Sequence, residues 1–254
     1  MKLHLLLLAL ACLIALVYGG TKNYYPSRFA SESDSDSSDS SGSDSENPPW
    51  PQFDPSHVYK GWELPADELA FHEGKMKEAI ELAISRNAVF ASTIVNATSG
   101  ETVCQSVNSI GKTKDMTMHG EMTVMQNCSS IYGLLDWTGF YIYTTGESCP
   151  MCQSAIMWNS FSKIIFGTNV TTLYCNMCLT QILVESAAIN SMGYGLADWG
   201  EYVPAQIIGG IMSSVTDSMF INYCNEPNSP VRVTPNCSGS GNSHNKQRKR
   251  KSHK

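Results

Sequence analysis

His119, Gly120 and Glu121 stand together, and about thirty residues further on the chain reads Glu147-Ser148-Cys149-Pro150-Met151-Cys152. A histidine and two cysteines in C-x-x-C spacing can fill three positions around a zinc ion. Glu121, two residues past the histidine, is too close along the chain to be the obvious fourth ligand, which leaves one position for water. An open zinc beside a carboxylate is an arrangement for hydrolysis, because the metal lowers the pKa of bound water toward neutrality while the carboxylate shuttles its proton. The expected ligands are therefore His119, Cys149 and Cys152, with Glu121 as the catalytic proton shuttle. A disulfide, or half of a closed structural zinc site, also uses C-x-x-C. A closed site, however, needs a fourth good ligand, and a redox pair has no need of His-x-Glu upstream.

These residues need particular elements to bring them together. On a regular helix two residues at i and i+2 point about 200° apart, so His119 and Glu121 share a cavity only if they sit where a helix begins. Pro150 suits the first turn of a second helix, and helix N-termini favour the thiolate that zinc requires. Two helix starts are thus expected to face one metal. Around them, Pro65, Asp67 and Glu68 with Leu69, Met76, Ile80 and Ala83 predict a helix over 65–86. β-rich runs at 88–95 and 101–107 flank a turn at 96–100 and predict a hairpin. A helix over 118–131, a strand over 139–145, the cysteine-bearing helix and a strand over 163–167 complete the order. That order predicts an α/β domain with a mixed central sheet and helices on its faces.

The ends of the chain differ from this core. An apolar run from residue 5 to 17 follows Lys2 and His4 and precedes Gly19 and Gly20. It is short for a bilayer and fits a secretory signal peptide over 1–19, cleaved after Gly19. Residues 31–46 alternate serine with acidic residues and contain no apolar side chain, so 20–56 is expected to be a disordered acidic and Pro-rich segment. The core domain is expected over 57–235, followed by a basic tail over 236–254. The core carries sixteen acidic against eight basic side chains, a formal balance of −8, which disfavours a polyphosphate partner. No later run is apolar enough for a membrane span.

Secretion makes the remaining cysteines informative. With Cys149 and Cys152 assigned to metal, Cys104, Cys128, Cys175, Cys178, Cys224 and Cys237 remain outside the leader, enough for three disulfides whose pairing sequence alone leaves open. Sequons at Asn96, Asn127, Asn169 and Asn236 agree with that route.

The segment from Asp115 to Met122 resembles the D-P-T-x-H-A-E motif of the cytidine deaminase-like superfamily, and Glu147 to Cys152 with Ala155-Ile156-Met157-Trp158 resembles its E-P-C-P-M-C and A-I-x-W segments. The similarity is to the branch of guanine deaminases and tRNA adenosine deaminases. It implies the three-layer α-β-α fold of that superfamily, one Zn2+, and hydrolytic release of ammonia from a nucleobase. It also implies substrate-binding roles for Asn108, Phe90 and Trp158, each of which is otherwise an ordinary turn or core residue. Met116 and Ser148 stand where the family has proline, and Gly120 where it has alanine. None of these removes a ligand or the shuttle. The resulting expectation is a secreted deaminase of a free purine base or nucleoside, with guanine favoured. A cytosine or cytidine deaminase and a non-catalytic zinc-binding protein are the alternatives. The expected partner is a small molecule, not nucleic acid or membrane, and a homodimer is left open.

Overall fold

In chain order the elements are β1 (Val58–Tyr59), α1 (Ala66–Ser85), β2 (Ala91–Asn96), β3 (Thr102–Val107), α2 (Ile110–Thr113), α3 (Gly120–Tyr132), β4 (Phe140–Gly146), α4 (Pro150–Trp158), β5 (Lys163–Thr168), α5 (Ser186–Gly195), β6 (Gln206–Gly209) and α6 (Ser213–Met219). This computed structural model describes residues 53–195 and 205–237, all within one unit of the chain. The expected leader, acidic tract and basic tail lie outside the described residues.

The six strands form one sheet in the order β1-β6-β5-β4-β2-β3. β4, β5, β6 and β1 run parallel, while β2 is antiparallel to both β3 and β4. The sheet is therefore mixed. Because side chains alternate across a strand, each strand supplies both layers. Ile94, Ile142, Ile164, Phe166 and Ile207 pack with Val124 and Met125 of α3 and Ile156 of α4. Their neighbours Val95, Tyr143, Ile165 and Ile208 pack on the other side with Met76, Ala79 and Ile80 of α1. These two clusters make the expected three-layer α-β-α arrangement.

Local chemistry fixes the element ends. Asp67 and Glu68 occupy the first turn of α1, where carboxylates favour the exposed backbone N–H groups. The helix stops at Arg86, and Asn87 follows with φ 49°, a left-handed conformation that asparagine tolerates. Residues 88–90 are still leaving this turn, with Ala88 N–H bonded to the Ala83 carbonyl, so β2 begins at Ala91 and not at 88 as the β-rich run predicts. α3 likewise starts at Gly120, two residues later than expected, because the Met118 carbonyl accepts from Ser109 N–H and His119 remains extended. The sequence reading did not identify β1, α2, β6 and α6, which are two to seven residues long. It also did not identify α5, which lies beyond the last strand that it read.

All six expected cysteines pair: Cys104 with Cys128, Cys175 with Cys237, and Cys178 with Cys224. The first bond ties β3 to α3 on the buried side of the sheet. The other two join the segment after β5 to the end of the described chain. Trp137 is wholly buried between Phe140 and Phe161, stacked on the latter at 5.8 Å, and holds the turn from α3 into β4. No described helix is long and apolar enough to cross a membrane.

One polar link crosses the α1 side of the core. His72 is only 1% exposed, and burial lowers its pKa, so it is held neutral. Its Nε2 faces Glu68 at 3.4 Å, and Nδ1 then accepts from the Tyr143 hydroxyl at 2.7 Å. Glu68 also meets Lys163 of β5. Replacing Tyr143 with Phe leaves the Nδ1 acceptor buried and unpaired. Urea unfolding of Tyr143→Phe is expected to show a loss of about 1–3 kcal/mol.

Candidate metal centre

Two helices begin at the same place. His119 precedes α3 with φ −64° and ψ 162°, and Cys149 precedes α4 with φ −67° and ψ 167°. In both, extended backbone at the capping position aims the side chain off the helix end instead of along its flank. Pro150 opens α4, where its missing N–H costs nothing. Cys152 completes the first turn, so both thiols of C-x-x-C face the same way.

The result is a three-donor cluster. His119 Nδ1 lies 3.6 Å from the Cys149 sulfur and 3.6 Å from the Cys152 sulfur. All three donor atoms fall within 4.8 Å of one another, and both cysteines are buried and free. Zinc bonds to sulfur at about 2.3 Å and to imidazole at about 2.0–2.1 Å, so a tetrahedral ion separates nitrogen from sulfur by about 3.6 Å. The donor set therefore fits zinc in both chemistry and spacing.

Charge at the cluster is arranged for metal. The Cys149 thiol is held down to about 4, chiefly by the hydrogen bond from the Cys152 thiol and, against burial, also by His119. Cys152 is pushed up by that same bond and by burial. His119 is raised, first by its hydrogen bond with Cys149. A metal bound here would displace the protons that these three groups hold.

Glu121 stands beside this set without belonging to it. It is 4% exposed in the first turn of α3, and burial raises its carboxyl to about 7. Glu147 has a different task. Its carboxylate accepts from Val170 N–H at 2.9 Å, Ser186 N–H at 2.8 Å and the Ser186 hydroxyl at 2.7 Å, and its own N–H donates to the Thr168 carbonyl. It thereby locks the strand-to-helix turn two residues ahead of Cys149. The sequence carries no local signal for this role of Glu147, since its partners are 21 to 39 residues away.

The backbones of two of the expected substrate residues pass beside the start of α3. Asn108 N–H donates to the Phe90 carbonyl at 3.0 Å, and Gly120 packs against that pair. A Cβ added at Gly120 would lie 3.5 Å from both the Asn108 nitrogen and the Phe90 oxygen, and 3.1 Å from the Ser92 hydroxyl. Asn108 also accepts from Ile110 N–H through its side-chain oxygen, which starts α2. The Phe90 ring meets Phe220 edge-on at 4.9 Å. Trp158 is placed apart from them: it ends α4, six residues past Cys152 or about 9 Å along the helix axis, and is 64% exposed.

Residues 69–168 match the model of the cytidine and deoxycytidylate deaminase zinc-binding region. Among curated relatives, a guanine deaminase of Bacillus subtilis (strain 168) is 29% identical over 105 residues, covering 39% of this chain and 66% of the relative. A cytosine deaminase of Candida albicans is 33% identical over 73 residues, covering 29% of this chain and 48% of the relative. The chain thus spans between about half and just under two thirds of these relatives' own lengths. A solved structure of NE0047 in complex with 2,6-diaminopurine shares the fold with a TM-score of 0.50 at 17% identity, over 64% of this chain and 85% of that one.

Metal analysis of the purified chain is expected to give about one zinc per molecule. Cys149→Ser is expected to lose it, whereas Glu121→Gln keeps both zinc and fold, because Glu121 is outside the three-donor set. A metal-free Glu121→Gln protein would show the carboxylate to be a ligand.

Proposed function

We propose that this chain is a secreted zinc-dependent hydrolase that deaminates a free purine base or nucleoside, with guanine the favoured substrate. The observation that carries the reading is the buried Glu121 carboxylate beside, but outside, a His119–Cys149–Cys152 set with zinc spacing. A structural zinc site has no use for such a group.

Zinc held by these three residues supplies Lewis acidity, which makes water a competent nucleophile near neutral pH. The protein's part is proton handling and orientation. Glu121 takes a proton from the attacking water on a carboxylate oxygen and delivers it to the ring nitrogen next to the amine-bearing carbon. Glu121 then takes the second proton from the hydroxyl now on the tetrahedral carbon and passes it to the departing amine nitrogen as that carbon collapses to the oxo base. Water and the amino base are thus exchanged for the oxo base and ammonia. Asn108, tied through its backbone to Phe90, orients the ring, and the Phe90 and Phe220 pair offers an aromatic wall for a flat base.

The guanine deaminase relative supports the purine reading, and the acidic core favours a neutral base over a phosphorylated or polymeric substrate. The cytosine deaminase relative keeps a pyrimidine substrate as the second reading. A head-to-head comparison of bases, nucleosides and nucleotides by ammonia release is expected to give the highest kcat/KM for guanine or a purine nucleoside. Asn108→Ala should weaken that preference, and Glu121→Gln should abolish turnover. Higher kcat/KM for cytosine or cytidine would transfer the assignment to the second reading, and no turnover of any substrate would remove the catalytic one.

Secretion is supported by the apolar leader and by the three disulfides, which persist in oxidising compartments. Of the sequon asparagines, Asn127, Asn169 and Asn236 are exposed on the described surface. Intact mass of the protein collected from culture medium is expected to place the first residue near Gly20. It should also reveal glycan on at least one of Asn96, Asn169 and Asn236, and no thiol outside Cys149 and Cys152 open to alkylation. Six alkylatable thiols outside that pair would contradict the oxidised compartment.

A further inference from the structure

Phe90 lies against the approaches to both ligand-bearing helices. Its carbonyl accepts from Asn108 N–H beside Gly120, where α3 begins. Its ring lies on Gly146, three residues before Cys149. A Cβ added at Gly146 would meet Phe90 Cε1 at 2.8 Å and Cδ1 at 3.2 Å, so the ring occupies the space that a side chain there would need. Phe90 is half-buried, which leaves part of it open to a ligand. Behind it stands Phe220, edge-on at 4.9 Å and only 7% exposed.

Phe220 is gripped from both sides along the chain. Ahead of it α6 is fastened to β5, where the Thr168 hydroxyl donates to the Thr216 hydroxyl at 2.9 Å. After it comes a three-residue 3-10 turn, Tyr223–Asn225, too short to be held by its own hydrogen bonds. A covalent clamp holds that side instead. Cys224 is bonded to Cys178, Tyr223 N–H donates to the Met177 carbonyl at 2.8 Å, and Val233 N–H donates to the Cys178 carbonyl at 2.8 Å. The segment so clamped carries Leu173 and Met177, which form one apolar cluster with Phe220, and Phe90 rests against that cluster. A disulfide restricts the conformations open to the residues it joins.

We propose that Phe220, pinned by the Cys178–Cys224 disulfide, is a positioning residue for Phe90: it holds the Phe90 ring against Gly146, ready to stack on a flat base. The disulfide thus acts on the site through two aromatic rings. A ring fixed in advance has no rotamer freedom left to lose when the base binds, so the contribution is to binding and not to proton transfer. The inference rests on the deaminase reading for its ligand, whereas the hold of Phe220 on Phe90 is a property of the fold.

The test uses the full zinc-loaded chain with para-fluorophenylalanine in place of Phe90, read by fluorine NMR. Two variants are compared with it: Phe220→Leu, which keeps apolar volume without a ring, and Cys178→Ala combined with Cys224→Ala, which keeps both rings. The fluorine resonance is expected to shift or broaden in each. In the same variants without the label, KM for the preferred base is expected to rise about fivefold, with kcat and zinc content within about twofold of wild type. An unmoved resonance, or an unchanged KM beside a moved one, would reduce Phe220 to ordinary core packing and overturn the proposal. If one variant fails to fold, the other decides. Should the wild type release ammonia from no base, the deaminase reading fails by itself, and the resonance still decides whether Phe220 and the disulfide hold Phe90.

Discussion

The separation of 3.6 Å from His119 Nδ1 to each cysteine sulfur depends on two helices beginning side by side at one end of a sheet. Neither ligand position would serve from the middle of a helix, where side chains lie along the flank and point back toward the N-terminus. At the extended residue that caps a helix the side chain is free to project forward. The exposed N–H groups behind it favour thiolate and carboxylate. Much of the fold sustains this arrangement. β4 ends at Gly146 and hands the chain to Glu147, whose carboxylate is anchored to the segments after β5 and at the start of α5. The Cys104–Cys128 bond fixes α3 to β3 behind the histidine.

The chemistry was legible in the sequence because it is local. H-x-E and C-x-x-C each occupy one helix start, and their side-chain types narrow the options to metal with an adjacent proton carrier. The alternating hydrophobic runs also revealed the central strands, and their order gave the α/β class. What escaped was long-range or short. β1 and β6 are two and four residues long and gain their identity only by pairing with each other and with β5. The cysteine pairing could not be read because fifteen pairings satisfy the same six residues. Glu147 gave no signal of its own, since the groups that satisfy it come from distant turns. Helix and strand starts moved by two or three residues where carbonyls such as that of Met118 were claimed by other segments.

Two of the positions where this chain departs from the pattern it resembles, Gly120 and Ser148, lie next to metal ligands along the chain. Gly120 makes room where a methyl would crowd the Ser92 hydroxyl, and Ser148 brings a hydroxyl to the loop entering the metal centre. The Ser92 backbone faces Thr144 across the strands, and that threonine hydroxyl is also buried without a partner. Buried hydroxyls are expensive to keep in a well-packed interior.

The central claim is that the protein contributes three zinc ligands and withholds Glu121. Zinc-edge X-ray absorption on the purified protein addresses it directly. The account predicts two sulfur neighbours at about 2.3 Å, one imidazole nitrogen at about 2.0 Å, and one further light atom that is replaced when a small anion or substrate analogue is added. Four protein-derived neighbours that no added ligand displaces, or a sulfur count of four, would contradict it.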